Sequence, residues 1–164
     1  MKKFKSRASI EQNELAWLLS KLQDIQPRVI VEIGVHKGYS LEVWRTWFKP
    51  DILIGIQDDI SELDYNDADI IQGISYDYDT LQEVKLALAG AKIDFLFIDG
   101  DHSYDGIKAD YTMYSTLMAK GGIIAFHDAV ITDHPLVEVH QFIKELDNVE
   151  VYQKDGTGMA VVYA

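Results

Sequence analysis

Apolar and polar positions along this chain switch between two periods. Over residues 9–25, Leu15, Leu18, Leu19 and Leu22 follow the i, i+3, i+4, i+7 spacing of a helix that buries one stripe. Ser9 and Gln12 form a capping-box pattern at its start, and Pro27 stops it. Residues 28–33 (RVIVEI) then read as a short buried strand, rich in β-branched side chains. Gly34 to Gly38 turns the chain, and Ser40 opens a helix that runs to Phe48 and ends at Pro50. The order repeats with strands at 51–56 and 69–74, a helix at 79–89 and a strongly apolar strand at 92–98. A helix over about 104–118, closed by Gly121 and Gly122, leads to a strand at 122–127. A last helix at 135–146 has Pro135 near its first turn, and two strands, 149–153 and 158–163, form a terminal hairpin.

Strands that alternate with helices and read as continuous apolar runs predict a parallel sheet covered on both faces. The short hairpin connection joins antiparallel strands. The expected fold is therefore α/β: a Rossmann-like, doubly wound sheet of seven strands, mostly parallel with an antiparallel C-terminal hairpin, and helices on both faces. No repeat, linker or low-complexity tract divides the chain, so residues 1–164 are read as one domain.

Composition narrows the function. The 164 residues are 48% hydrophobic, enough to bury a full core, and carry a formal net charge of -12, which disfavours a general nucleic-acid binder. Without Cys there is no disulfide scaffold, thiolate metal site or cysteine nucleophile. The start, with Lys2, Lys3, Lys5 and Arg7, is basic but lacks an apolar segment, so it reads as a solvated terminus rather than a secretory signal. No apolar run approaches the roughly 18 residues of a membrane span, and a soluble cytoplasmic protein is the expectation. The three tryptophans, Trp17, Trp44 and Trp47, fall at helical spacing and are read as core.

In doubly wound sheets, ligands bind beyond the carboxyl ends of the strands. The first such end carries Glu32, Gly34 and Gly38; two glycines in G-x-x-x-G spacing serve either a tight turn or a loop that lets backbone approach a ligand. The second carries Gln57, Asp58 and Asp59, where a side chain meets nucleotide ribose or simply starts a turn. The fourth ends in Asp99-Gly100-Asp101-His102-Ser103-Tyr104-Asp105 and the fifth in His127-Asp128. Adjacent parallel strands place their tips about 5 Å apart. Asp99 and Asp128 thus converge, with His127 and Asp101 nearby. Carboxylates that close repel unless a proton or cation joins them. Mg²⁺ suits oxygen ligands, and a histidine in the set also tolerates Mn²⁺ or Zn²⁺. Asp101 and His102 each fit a cap or loop hydrogen bond as well as a chemical role; Ser103 or Asp105 fits the cap of the following helix. His134 and His140 read as surface residues.

Three segments, VEIGVHKGYS, IDFLFIDGDHSYDGIKADY and KGGIIAFHD, in this order and spacing, resemble the class I S-adenosylmethionine-dependent methyltransferases. The resemblance is strongest to the small metal-linked O-methyltransferase and cephalosporin-hydroxylase-like group, and it covers residues 28–128. It implies that Glu32, Gly34 and Gly38 line the methionine part of S-adenosylmethionine. It places Gln57 at the ribose, in the position of the usual acid and with Asp58 as the substitute, and Gly73 to Ser75 near the adenine. It implies a divalent cation, Mg²⁺ or another, held by Asp99, His127 and Asp128, with Asp99 also lining the donor, and Asp101 as general base. The implied acceptor is a small-molecule or sugar hydroxyl, with no nucleic-acid or membrane partner. In so short a chain the acceptor site is open, completed by a second subunit of a homo-oligomer, or lost. Two other readings stand beside this one: a module that binds the donor without transfer, which Gln57 favours, and a metal-dependent phosphoesterase, for which further Asn and His ligands are missing.

Overall fold

A computed structural model describes residues 10–164. The basic start and Ser9, half of the expected capping box, lie outside the described residues. Elements run in the order α1 (Gln12–Ile25), β1 (Val29–Ile33), α2 (Tyr39–Phe48), β2 (Ile52–Gln57), β3 (Asp69–Gln72), α3 (Tyr78–Leu88), β4 (Ile93–Ile98), α4 (Tyr104–Tyr114), β5 (Met118–Phe126), α5 (Val139–Phe142), β6 (Glu150–Tyr152) and β7 (Met159–Tyr163). The seven strands form one sheet in the order β3-β2-β1-β4-β5-β7-β6. β1 to β5 pair in parallel, whereas β7 runs antiparallel to both β5 and β6. This is the architecture the periodicity predicts. The direction of crossover reverses between β1 and β4, so their tips flank the place where such sheets bind ligands.

Both faces are covered, and the period-2 alternation of the strands sorts the core into two layers. Val31, Ile33, Ile54, Leu96, Ile98 and Phe126 pack with residues of α3, α4 and α5. Ile30, Leu53, Phe95 and Phe97 pack with Leu18 and Leu22 of α1 and Leu41 and Trp44 of α2. Trp44 is fully buried, its ring edge-on to Phe95 and Phe97 at centroid separations of 5.2 and 5.6 Å. Truncating such an anchor in a packed core costs roughly 3–5 kcal/mol. Trp17 is partly buried against Tyr152, but Trp47 is 53% exposed, against expectation. The stripe Leu41, Trp44, Phe48 faces the sheet, which turns position 47 to solvent.

Two expected boundaries are corrected. α4 ends at Tyr114, a single 3₁₀ turn follows over Ser115–Leu117, and β5 already begins at Met118. Gly121 and Gly122 therefore lie within the strand. The register jumps from Ile93↔Met118 to Phe95↔Ile123, and Gly121, at φ +80°, sits in that bulge. The expected helix over 135–146 shrinks to α5 and a 3₁₀ turn. Glu138 draws the preceding chain away: its N–H donates to the His102 carbonyl (2.8 Å), and its carboxylate accepts from the Tyr104 N–H (3.0 Å). Among the described residues no helix is long and apolar enough to cross a membrane.

Candidate functional site

The tips of β1 and β2 and the turns after β3 and β4 enclose a cavity of about 250 Å³. Gly34, Gln57, Asp58, Gly73, Ser75 and Asp101 line it, joined by Ile33, Ile56, Ile74, Tyr76 and Gly100. Backbone geometry shapes it. Gly34 takes φ +84°, its N–H donates to the Ile56 carbonyl (2.9 Å), and a Cβ there would run into the Asp99 backbone. Gly73 packs so closely on Thr80 that a side chain would meet its hydroxyl. Gly38 lies off the cavity, at φ +78°, packed on Tyr65 at the start of α2.

Side chains then brace the loops. The Gln57 side-chain carbonyl accepts from the His36 N–H (2.9 Å), and its amide donates to Asp58 (2.7 Å), so one residue ties the first turn to the second. Glu32 is buried beneath the bend rather than lining the cavity. It accepts hydrogen bonds from the Ser40 hydroxyl and from Trp44 Nε1 (2.6 Å), fastening β1 to α2. Burial outweighs those bonds and pushes its carboxyl up to about 8. Behind Ser75, the Tyr114 hydroxyl donates to the Ser75 carbonyl (2.7 Å).

Asp101 belongs to the same wall. One oxygen accepts from the Ser103 N–H (2.9 Å) and the other from the Tyr76 hydroxyl (3.1 Å). Burial alone would raise its carboxyl, but the bonds from Ser103 and Tyr76 and the neighbouring His102 bring it below the ordinary value. Ser103, as one of the two expected residues, caps α4: its hydroxyl accepts from the Gly106 N–H (3.2 Å).

The neighbouring rim is built from charge. Asp99, His102 and Asp128 bring one ligand atom each within 4.8 Å of one another. His102 Nε2 sits 3.2 Å from Asp99 Oδ1 and 3.0 Å from Asp128 Oδ2. Those two carboxylates drive its imidazole up to about 10. His127 stands behind the trio: its Nδ1 is 3.2 Å from Asp99 Oδ1 and 3.5 Å from Asp128 Oδ1. The β4 and β5 tips thus bring Asp99, His127 and Asp128 together as the sequence predicts. They add His102, whose local spacing looks equally like a loop residue. Asp101, one position from His102, turns away toward Tyr76. Once a cation displaces the proton on His102 Nε2, two carboxylate oxygens and an imidazole nitrogen converging at partly buried positions are a donor set that fits a divalent ion.

Residues 31–129 match the family model described as a methyltransferase domain. The chain belongs to that family. The methyltransferase domain is also 31% identical over 110 residues to an uncharacterised protein of Acanthamoeba polyphaga mimivirus, a match covering 60% of this chain and 50% of the viral protein. The chain thus spans about half the length of the curated relative it matches. Among solved structures, it superposes on the O-methyltransferase from Bacillus cereus in complex with S-adenosylhomocysteine, with a TM-score of 0.69 and 20% identity, covering 98% of this chain and 84% of that one. It also resembles MycE from the mycinamycin biosynthetic pathway, in complex with Mg, S-adenosylhomocysteine and mycinamycin VI, with a TM-score of 0.66 and 17% identity, covering 89% of this chain and 48% of that one. At these identities the two likenesses establish the methyltransferase domain's fold.

Proposed function

We propose that this domain moves the methyl group of S-adenosylmethionine to a hydroxyl oxygen of a small molecule or sugar. The observation that carries the reading is the cavity above Gly34 lying beside the Asp99–His102–Asp128 trio, with only Gly100 between the cavity residue Asp101 and Asp99. Ligands of the two structural relatives support it: S-adenosylhomocysteine in both and Mg in MycE.

In this reading the Gly34 bend lets the donor approach the backbone, Gln57 and Asp58 take the ribose hydroxyls, and Gly73 to Tyr76 wall the base. Asp101 has both oxygens engaged and a lowered pKa, so it suits holding a polar group of the ligand better than taking a proton. Acidic walls favour a sulfonium cation over its neutral product. Transfer is in line: the S–CH₃ bond breaks as the O–CH₃ bond forms, the sulfonium becomes a thioether, and the hydroxyl proton passes to solvent water. The residues contribute chiefly alignment and exclusion of water. Asp99, His102 and Asp128 would hold a divalent cation, which when bound lowers the pKa of an acceptor hydroxyl. A second cavity of about 280 Å³, lined by Asp133, His134, Glu138 and His140, adjoins the rim through the Glu138–His102 bond and suits a hydroxyl-rich acceptor.

Calorimetry with S-adenosylmethionine, with and without Mg²⁺, followed by transfer of labelled methyl to a panel of hydroxyl compounds, tests the proposal. Micromolar donor binding and a methylated hydroxyl are expected. No donor binding removes the reading. Binding without turnover on any acceptor identifies a donor-binding module instead, the alternative that Gln57 in place of a carboxylate favours.

A further inference from the structure

α1 carries a buried acid inside its apolar stripe. Glu14 has no exposed surface, flanked by Leu15 and Leu18, and lies ahead of the segment that matches the family. Its Oε1 accepts from the Gly158 N–H (2.5 Å) in the loop between β6 and β7. That loop closes on the carboxylate so tightly that a Cβ on Gly156, at φ +70°, would stand 2.5 Å from the carboxyl carbon. Its Oε2 has no hydrogen-bond partner, and it lies 3.8 Å from His127 Nε2. A buried polar atom left without a partner costs about 1–3 kcal/mol, and more when charged, so its place beside His127 calls for a role.

His127 is gripped from both sides. Thr157 Oγ1 lies 3.3 Å from Nε2, on the same edge as Glu14, while Nδ1 faces Asp99 Oδ1 at 3.2 Å. The same Asp99 oxygen meets His102. A continuous line of contacts therefore runs from α1 through β5 to the rim at the end of β4. Groups that orient a ligand from behind commonly change metal affinity by about 10–100-fold when removed.

We propose that Glu14 is a positioning residue: acting through His127, it fixes the Asp99 carboxylate in the orientation the Asp99–His102–Asp128 trio needs to take a divalent cation. This rests on the reading of the trio as a cation site. Without the Glu14 carboxylate, the outer edge of the imidazole keeps Thr157 alone, the ring gains freedom to turn, and Asp99 loses its brace.

The test is Mn²⁺ binding to the purified full chain, followed by electron paramagnetic resonance with neither donor nor acceptor present. Glu14→Gln is expected to weaken Mn²⁺ binding about 10–100-fold. Affinity for S-adenosylhomocysteine should stay within about threefold, the donor cavity being untouched. The double variant Glu14→Gln/His127→Asn should bind Mn²⁺ no more weakly than His127→Asn alone, because the effect passes through the imidazole. Wild-type Mn²⁺ affinity in Glu14→Gln, losses that add in the double variant, or an equal loss of S-adenosylhomocysteine binding each overturn the proposal. If Glu14→Gln does not fold, Glu14→Asp, which withdraws the carboxylate by one methylene, is read the same way: weakened Mn²⁺ binding upholds the role and unchanged binding overturns it. A wild-type chain that takes no Mn²⁺ removes the cation reading itself, whereas wild-type binding unaffected by position 14 removes only the role of Glu14.

Discussion

The two halves of the site are made of different materials. On the β1–β2–β3 side, backbone makes the space: Gly34 and Gly73 leave room that a side chain would fill, and Gln57 and Glu32 hold the loops in place. On the β4–β5 side, side chains make the site: Asp99, His102, His127 and Asp128 hold one another, with Glu14 behind them. A space made by backbone tolerates change in its surroundings but not at the bend itself. A cluster made by side chains loses function one contact at a time while the sheet beneath it survives. Damage to the first half should therefore appear as loss of fold and donor binding together, and damage to the second as loss of cation binding alone.

The sharpest way to break that contrast is Gly34→Val. A β-branched residue would have to adopt φ +84° and drive its Cβ into the Asp99 carbonyl. A loss of at least about 3 kcal/mol in urea unfolding is expected, with S-adenosylhomocysteine binding abolished. A stable variant with wild-type affinity would contradict the role of the bend. Next in size is Asp99→Asn, which should weaken Mn²⁺ binding by about 100-fold or more while S-adenosylhomocysteine affinity changes by no more than a few fold. Equal losses of both, measured by calorimetry, would erase the division between the halves.

Two buried carboxyls sharpen the comparison through pH. Glu32 is held up to about 8, against 4.5 for a free glutamate. The folded chain therefore keeps a proton that the unfolded chain releases: this contribution is complete below about pH 4.5 and is lost as pH rises through about 8. Thermal melts of the wild type should decline across that window with a slope of up to ~1.4 kcal/mol per pH unit from this group, and Glu32→Gln should flatten it. An unchanged slope would show that another group controls it. Asp110 on α4 is the smallest case. It is fully buried, and burial raises it to about 7 against the opposing pull of the neighbouring Ser75 hydroxyl. Its proton is likewise kept on folding and given up as pH passes 7. Asp110→Asn should stabilise the protein far more at pH 8 than at pH 4, the difference growing by up to ~1.4 kcal/mol for each pH unit between about 4 and 7. Stabilisation at pH 4 as large as that at pH 8 would exclude ionisation as the cause.

Much of this was legible in the order of residues. VIVEI, ILIGIQ and IDFLFI are strands because short β-branched and aromatic runs between turn residues suit a sheet buried on both faces. Leu15, Leu18 and Leu22 mark α1 by spacing alone. The strand-end rule pointed to Gly34, Gln57, Asp58, Asp99 and Asp128, and these lie along one rim. Local pattern failed where distant partners decide the backbone. Glu138 abandons helix to bond His102 and Tyr104, and Gly121 looks like a helix stop until the β4 register makes it a bulge. It also failed to choose between the two neighbours Asp101 and His102, because the direction each takes depends on Tyr76 in one case and Asp128 in the other.

By itself, the sequence determined the alternation of strands and helices, the mainly parallel sheet and the strand ends where chemistry collects, because periodicity and turn residues act over a few positions. Only the tertiary structure decided which imidazole joins the trio and that a glutamate on the first helix stands behind it. The first depends on His102 meeting Asp128, and the second on side chains 113 positions apart in sequence, Glu14 and His127, separations over which no local pattern carries information.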